Sequence, residues 1–478
     1  MNYSEEYKDC LEYIDQFWDK VTIRPKKRER LLNIIIKKAT KRMHENIINL
    51  PKSFIIPNAT NMGKKNKTDS PGWFAHIFYW DTFFMFKGLL RTRHEWITRS
   101  MVDNFIYLYE KYGIIPNFNS PASIGRSQPP FLTSMIFDAY NRYYYSYRGM
   151  NPFKKLVYDL EPYKEWLQKA SDVAKREYWK VWIDEDGFYH HKVNGYNLSR
   201  YGDRDIGYAH SAELESGWDF TSRFYNRCNE FLPIDLNCLL YKYERDFAKI
   251  ARILGDKDED HYWKSIAEKR KEEINKYMWN GETGFFYDYG YVNKRQSDFL
   301  SLAGFMPLWT RLATPAQAKK MVKMLPYFET EYGLTITAQE SLAPKVSLRK
   351  IPIRFRHAIE DVLKPKQWDY PNIWPPLEYL TVIGLLKYGF VDDAKRIMNK
   401  SVTAQGNIFR KYKTFFEKIN GETGDINGNY HYAQQAGFGW TNATFYRYVQ
   451  ILDALENGEN IYVEPKGDTP PYKLSIPH

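Results

Sequence analysis

Cysteine is scarce in this chain: three in 478 residues, at Cys10, Cys228 and Cys238. They show no paired CxxC spacing, so a zinc site or a disulfide framework is not expected. Long apolar runs are missing as well, and no stretch approaches the roughly 20 residues that span a bilayer. The first residues, MNYSEEYKDCLEYIDQF, are acidic and lack an apolar core. No signal peptide is therefore expected, and the reading is a cytoplasmic protein without a membrane partner. There is no low-complexity linker to divide the chain. One domain over 1–478 is expected, with an N-terminal helical extension at about 1–50. A fixed-period repeat is also absent, which argues against an ordinary solenoid.

Acidic residues are in the minority, and the formal charge is +11. A nucleic acid is the partner such a surplus would suggest. The densest basic stretch, Arg24 to Arg42, carries Leu31, Leu32, Ile35 and Ile36 in an amphipathic pattern behind Pro25, which suits a first helical turn. A solvated helix face accounts for it. No nucleic-acid module accompanies it, so no nucleic-acid partner is expected. A nucleic-acid-binding helical protein stays as a rival that a salt-dependent shift would reveal.

Aromatic residues are abundant, at 17% of the chain with 14 Trp. Most suit packed helices, yet rigid faces with polar tips also suit sugars. The dominant period is helical. Residues 233–254 place Leu236, Leu239, Leu240, Tyr243, Phe247, Ile250 and Leu254 on one face, opened by Pro233 and closed by Gly255. Residues 376–388 and 392–403, separated by Gly389, form a helical hairpin. Further helices are expected near 5–20, 26–48, 82–112, 131–148, 158–182, 258–278, 296–312, 315–325 and 437–454. Short strands are expected near Gly187–Val193 and Phe285–Tyr289. About a dozen helices joined in hairpins suggest a helical ring or solenoid.

The segments between helices carry the chemistry. PGWFAHIFYWDTFF at 71–84 holds Trp80 and Asp81. IPNFNSPASIGRSQPPF at 115–131 holds Asn117, Arg126 and Gln128. ESGWDFTSRF at 215–224 holds Asp219 and Arg223, and QWDYPNIWPP at 367–376 holds Gln367, Trp368, Asp369, Asn372 and Trp374. TFFEKINGETGD at 414–425 supplies Glu417 and leads into QAGFGWTNATF at 435–445. Each pairs aromatic rings with carboxylate, amide or guanidinium groups, the composition that holds sugar hydroxyls over an apolar ring face. Glycoside hydrolysis needs two carboxyl groups, one protonated and one ionised. Spacing alone does not select the pair, because an isolated Asp or Glu also serves as a cap or a solvated surface charge.

RSQPPF, ESGWDFTSRF, QWDYPN.W and GFGWTN, in this order, resemble the marks of the trehalases, glycoside hydrolase family 37. The resemblance runs from about residue 70 to 450. It implies an all-α (α/α)6 toroid, with six inner and six outer helices and a funnel-shaped site at one end. It carries the catalytic acid to Asp219 and the base to Glu417 of an inverting pair. It carries sugar contacts to Trp80, Asp81, Asn117, Arg126, Ser127, Gln128, Gly217 and Trp374. Trp218 and Gln367 join them as neighbours in the same motifs, and Arg200, in SRYGD, matches a further arginine of a degraded motif. The substrate implied is a small carbohydrate with an α-glucosidic bond, with no cofactor and no metal.

Three positions depart from the family. Trp73 stands where the family has a substrate-contacting Arg, His76 where it has Glu, and His431 where a Glu touches substrate. The Lys345–Lys366 segment is longer and more basic than the family's link. The EKINGETGD stretch is similar to the related family 63 enzymes. These departures imply a rewritten site for the second glucose, so trehalose is not expected to be the preferred substrate. A true α,α-trehalase, a family 63-like hydrolase of another α-glucoside such as glucosylglycerate, and an inactive sugar-binding protein stand as alternatives.

Overall fold

The computed structural model describes residues 2–25, 47–58, 76–149, 161–204, 209–342, 365–427 and 434–459. The helix expected near 26–48 lies almost wholly outside them. The longer helices are α1 (Lys8–Val21), α2 (Tyr79–Leu89), α3 (Ile97–Tyr112), α4 (Leu132–Gly149) and α5 (Glu161–Glu177). They continue with α6 (Ile234–Leu254), α7 (Lys257–Met278), α8 (Pro375–Lys387), α9 (Val391–Tyr412) and α10 (Gly439–Glu456).

Two kinds of helix alternate. In α2 every residue is buried, Asp81 and Lys87 included, and α8 is buried from Pro375 to Leu386. A helix that is apolar all round belongs inside. By contrast α7 and α9 bury only one stripe and turn their charged residues outward. Packing among the inner elements runs in a closed circuit. Helix α2 lies against α4, α4 against α6, and α6 against the short turn Met306–Trp309. That turn packs on α8, α8 on α10, and α10 again on α2. Helices α3 and α5 lie outside α2, α4 and α6, while α7 covers α6 and α9 covers α8 and α10. Helix α1 packs on α10, and Tyr3 and Ser4 donate main-chain N–H groups to Asp453 on α10 at 2.7 and 3.0 Å.

Helix α6 starts after Pro233 and ends at Gly255, whose φ of +91° only glycine adopts readily. Elsewhere the periodicity misled. The helix expected over 82–112 is two, α2 and α3, parted by a turn in which Arg91 has φ +65°. The helix expected over 296–312 reduces to a 3-10 turn, Leu302–Phe305, and a single α-turn, Met306–Trp309. Gly304 lies so close to Phe285 that a Cβ would sit 2.2 Å from the ring, so packing overrides the helical pattern here. The strand expected near Gly187–Val193 is reduced to an isolated bridge, Lys192 to Ser199. That near Phe285–Tyr289 appears as two short strands, Phe285–Phe286 and Tyr289–Gly290.

The inner helices share a polarity that fixes the site. Trp80 and Asp81 open α2, Gln128 precedes α4, Asp219 precedes α6, Trp374 caps α8, and Trp440 opens α10. All the chemistry-bearing segments therefore meet at one end of the ring.

Candidate active site

Short main-chain pairings hold these segments in register. Asn372–Ile373 and Ile419–Asn420 form an antiparallel pair, which sets the QWDYPN loop beside the one carrying Glu417. Bridges join Phe78 to Phe118 and Phe416 to Ala436. The Asn117 N–H donates to the Arg126 carbonyl at 2.9 Å, and the Asn117 carbonyl accepts from Tyr79 at 3.0 Å. Asn117 and Arg126 are thereby fixed next to the start of α2.

Indole rings make the floor. Trp368 stacks on Trp374 at 3.7 Å between centroids and 9° between planes. Trp80 lies 5.7 Å from Trp368 and 6.3 Å from Trp440, and Trp218 lies 5.6 Å from Trp368. Trp374 is fully buried, so it backs Trp368 rather than presenting a free face. Gly217 makes this cluster possible: its φ is +75°, and a Cβ there would come within 2.6 Å of the Trp80 ring. The Gln128 side-chain carbonyl accepts from the Trp80 N–H at 3.2 Å.

Asp219, next to Trp218 of this floor, is partly exposed at its surface and surrounded by protein mass. The Gln367 side-chain N–H donates to its main-chain carbonyl at 3.1 Å. Burial pushes its carboxyl up to about 7, with Arg126 opposing and the charges of Glu213 and Glu417 adding to the rise. Glu213 accepts from the Phe220 and Thr221 N–H groups at 3.0 and 3.3 Å, clamping the turn just after Asp219. Burial raises Glu213 as well, to about 6. On the other side of Asp219, Asp369 accepts from the Ser222 N–H at 2.8 Å and the Ser222 hydroxyl at 2.7 Å. Arg223, buried between Asp235 and Asp288, anchors the segment to α6.

Glu417 is buried and has a different neighbourhood. The Lys418 ammonium donates to its Oε2 at 2.6 Å and lies 4.5 Å above the Trp374 ring. The Glu417 carbonyl accepts from the Trp440 indole at 2.8 Å, and its N–H donates to Gln435 at 2.9 Å. Asp81, also buried, is held well above the ordinary carboxylate range by burial and then by the charges of Glu417 and Asp219. Three carboxyl groups thus share one electrostatic field.

Several buried polar atoms here have no partner among the described residues: Arg126 Nε, Trp218 Nε1, Gln367 Oε1 and Gln434 Oε1. Unsatisfied buried groups are uncommon in folded proteins, and each calls for a partner such as an ordered water, an ion or a ligand group. Among the described residues the Arg126 guanidinium donates from Nη1 to Asp203 at 3.4 Å.

Not every expected residue meets the pocket through its side chain. Ser127 spends its N–H on Glu215 at 3.0 Å and its hydroxyl on the Ile115 carbonyl at 2.7 Å, so it shapes the loop. The Arg200 guanidinium donates to the His190 and Asn229 carbonyls and to the Tyr291 hydroxyl at 2.6–2.7 Å, and no side chain of the carboxyl cluster is among those partners. Asp203, three residues on, is the member of that loop that reaches Arg126. His76 is buried with its ring 5.1 Å from Phe118. Trp73, His431 and most of the basic Lys345–Lys366 segment lie outside the described residues. Sequence reasoning did not single out Lys418, Trp440, Glu213 or Asp203 for the site. Lys418 and Trp440 lie inside quoted motif segments and Asp203 closes the SRYGD stretch that the resemblance matches only at Arg200, while Glu213 has no signal apart from the fold.

A closed ring of paired helices with carboxyl groups and indoles gathered at one mouth defines the fold class, an all-α toroid. The family model described as Trehalase matches residues 4–215 and 208–453. A probable trehalase from Eremothecium gossypii is 31% identical over 439 residues, covering 78% of this chain and 56% of that protein. A cytosolic neutral trehalase from Saccharomyces cerevisiae is 32% identical over 440 residues, covering 78% and 55%. The chain belongs to the trehalase family, and it spans about half the length of these curated relatives. Among solved structures, the neutral trehalase Nth1 from Saccharomyces cerevisiae superposes with a TM-score of 0.69 at 24% identity, covering 95% of this chain and 96% of that one. A GH63 mannosylglycerate hydrolase from Thermus thermophilus, in complex with glucose, superposes with a TM-score of 0.58 at 15% identity, covering 81% and 97%. Both likenesses concern the fold, an (α/α)6 toroid.

Proposed function

We propose that this protein is an inverting glycoside hydrolase that cleaves the α-glucosidic bond of a small glucoside, with Asp219 as general acid and Glu417 as general base. The observation that carries the reading is the asymmetry of the two carboxyl groups. A carboxyl raised to about 7 is still largely protonated near neutrality and can hand its proton to a leaving oxygen. A carboxylate paired with an ammonium suits the removal of a proton from water. Attack from the face opposite the leaving group inverts the anomeric carbon in one step, and the two carboxyls of such a pair stand roughly 6.5–9.5 Å apart to admit that water. Arg126, Asn117, Gln128 and Asp81 hold the hydroxyls of the first sugar. Trp80 and Trp368 lie under its ring. No cofactor is required. The cytosolic setting in the names of two relatives is extended to this chain.

By the resemblance, Trp73, His76 and His431 stand where the family has a sugar-contacting Arg and two Glu, so hydrogen-bonding groups that meet the second sugar in the family are replaced here. An unpartnered buried hydroxyl costs about 1–3 kcal/mol, and about 1.4 kcal/mol is tenfold in rate. The preferred substrate is therefore another α-glucoside. An α,α-trehalase proper is the second reading, favoured by the names of the relatives. Steady-state kinetics on trehalose, kojibiose, nigerose, maltose and glucosylglycerate, with early NMR of the product, test both. The proposal expects β-anomeric sugar first and kcat/KM for trehalose below that for another member of the set. A clear preference for trehalose selects the second reading, and first release of the α-anomer refutes inversion.

A further inference from the structure

Between α5 and α6 lies a fully buried histidine, His191, outside the carboxyl cluster. Helix α5 runs into a π-helical turn, Tyr178–Ile183, which stops where Asp184 takes φ +51°. A helix end leaves its last carbonyls without partners inside the helix. The chain then folds back on that end. Asp184 Oδ2 accepts the main-chain N–H groups of Tyr189 and His191, both at 3.0 Å. The return stacks the His191 ring on Trp182, at 4.8 Å between centroids and 16° between planes.

Both ring nitrogens face oxygen atoms that accept. Nδ1 lies 2.6 Å from the Val181 carbonyl, and Nε2 lies 2.7 Å from Glu215 Oε2. A neutral imidazole has one N–H and one lone pair, so it would set that lone pair against one of these oxygens. Glu215, itself fully buried, accepts from the main chain as a carboxylate does. The Ser127 N–H reaches its Oε1 at 3.0 Å and the Gly202 N–H its Oε2 at 2.7 Å. The proton of the pair therefore sits on the ring, which is an imidazolium. Burial opposes this charge, but Glu215, the bond to Val181 and the nearby Asp184 outweigh it and hold the ring above the ordinary imidazole range. The Tyr201 hydroxyl, kept neutral by burial, adds no charge near Glu215.

The partners of Glu215 give the pair its reach. Ser127 stands between Arg126 and Gln128. Gly202 precedes Asp203, which accepts from Arg126. Glu215 itself opens the ESGWD motif that ends in Asp219. Gly202 is held so closely that a Cβ would sit 2.3 Å from the Tyr189 carbonyl oxygen. Segments far apart in the chain thus converge on one carboxylate, and His191 is its counter-charge. A buried carboxylate stripped of its cation is costly, so it would draw in a proton or water and release the N–H groups it holds.

We propose that His191 is a positioning residue for the reaction: its imidazolium holds the Glu215 carboxylate, which in turn sets the Arg126–Gln128 segment and the Asp203 that contacts Arg126. The inference rests on the reading of Arg126 and Gln128 as sugar contacts. An ion pair remote from the site would stabilise the fold and leave substrate affinity alone. This one is bonded to the substrate loops, where a shift of about 1 Å can cost roughly 100-fold.

Nitrogen-15 resonances of histidine in the full chain test the charge at about pH 7.5, where an ordinary imidazole is largely neutral. His191, identified by its proximity to the Trp182 ring protons, is expected to carry a proton on both nitrogens. A neutral ring overturns the proposal. Hydrogen exchange read by mass spectrometry tests the link. In His191→Gln, peptides containing Ser127 and Gly202 should exchange at least about tenfold faster, while those of α6 keep the parental rate. Neither measurement needs turnover, so both hold or fail independently of the roles given to Asp219 and Glu417. Steady-state kinetics on an α-glucoside test the consequence. His191→Gln and Glu215→Gln should each raise KM at least about tenfold with kcat within about threefold of the parent. The double variant should lose no more than either alone, because each acts through the other. A parental KM in folded His191→Gln, losses that multiply in the double variant, or faster exchange spread over the whole chain would overturn the proposal. Where the variants do not fold, the resonance measurement on the parent carries the decision.

Discussion

Asp219 and Glu417 reach the same mouth of the ring in contrasting company. Asp219 follows a Gly-Trp turn, and among the described residues the cation Arg126 is set against the added charge of Glu213 and Glu417. Glu417 follows two phenylalanines and is paired at 2.6 Å with Lys418, the next residue in the chain. Burial raises the first carboxyl to about 7. At the second, burial holds the lysine below its ordinary range while the carboxylate works against that fall. In the proposed mechanism two groups of the same chemistry are given different tasks by their neighbours, of which Lys418 is adjacent in the chain and Arg126 comes from a distant segment.

The largest effects should come from removing the carboxyls themselves. In the proposed mechanism, Asp219→Asn and Glu417→Gln each lower kcat on an O-linked α-glucoside by at least about 100-fold, because an amide keeps the shape and loses the proton transfer. Circular dichroism should show both variants folded. Near-native kcat in either would remove that residue from its role.

A smaller effect sharpens the contrast at its cationic side. Lys418→Met keeps much of the buried volume over Trp374 and deletes the charge beside Glu417. An ammonium favours the ionised form of an adjacent carboxylate. The variant should lose about tenfold in kcat/KM, and the acid limb of its pH profile should move to higher pH. An unchanged acid limb would show that Lys418 is packing alone.

The smallest effect is read in stability. A carboxyl raised to about 7 in the folded state, against ~3.9 in the unfolded chain, keeps its proton longer when folded. Its contribution to stability is therefore lost progressively as pH rises through that window. Asp219→Asn should melt higher than the parent at pH 8, by roughly 1–3 °C since the group is partly solvated, and the gap should narrow toward pH 5. The same proton predicts that parental kcat/KM falls above pH about 7. A variant that melts lower at pH 8 would contradict this account of Asp219.

Much of the fold and of the site is legible in the order of the amino acids. The apolar period of α6, with Pro233 and Gly255 at its ends, is a local property, and it survives folding unchanged. The motif segments are legible because each places its residues at fixed offsets from an inner helix start. What the sequence hides depends on meetings between distant segments. Trp440 becomes part of the floor only because α10 packs on α2, and Glu213 matters only because the chain turns back so that its carboxylate caps the residues after Asp219. Arg200 shows the reverse: its motif points to substrate, while its hydrogen bonds go to His190, Asn229 and Tyr291, and Asp203 makes the contact to Arg126 instead. The short fifth inner element, Met306–Trp309, reads as part of a long helix because periodicity does not register that Gly304 is pressed against Phe285.

The division of labour between the two carboxyls is tested most directly with α-glucosyl fluoride, whose leaving group departs without being protonated. A general acid is then dispensable, and a general base is still needed to activate water. The account predicts that Asp219→Asn hydrolyses the fluoride at a rate within about tenfold of the parent, while Glu417→Gln loses at least about 100-fold on the fluoride as on the O-glycoside. Equal losses in the two variants, or a fluoride rate kept by Glu417→Gln and lost by Asp219→Asn, would contradict it.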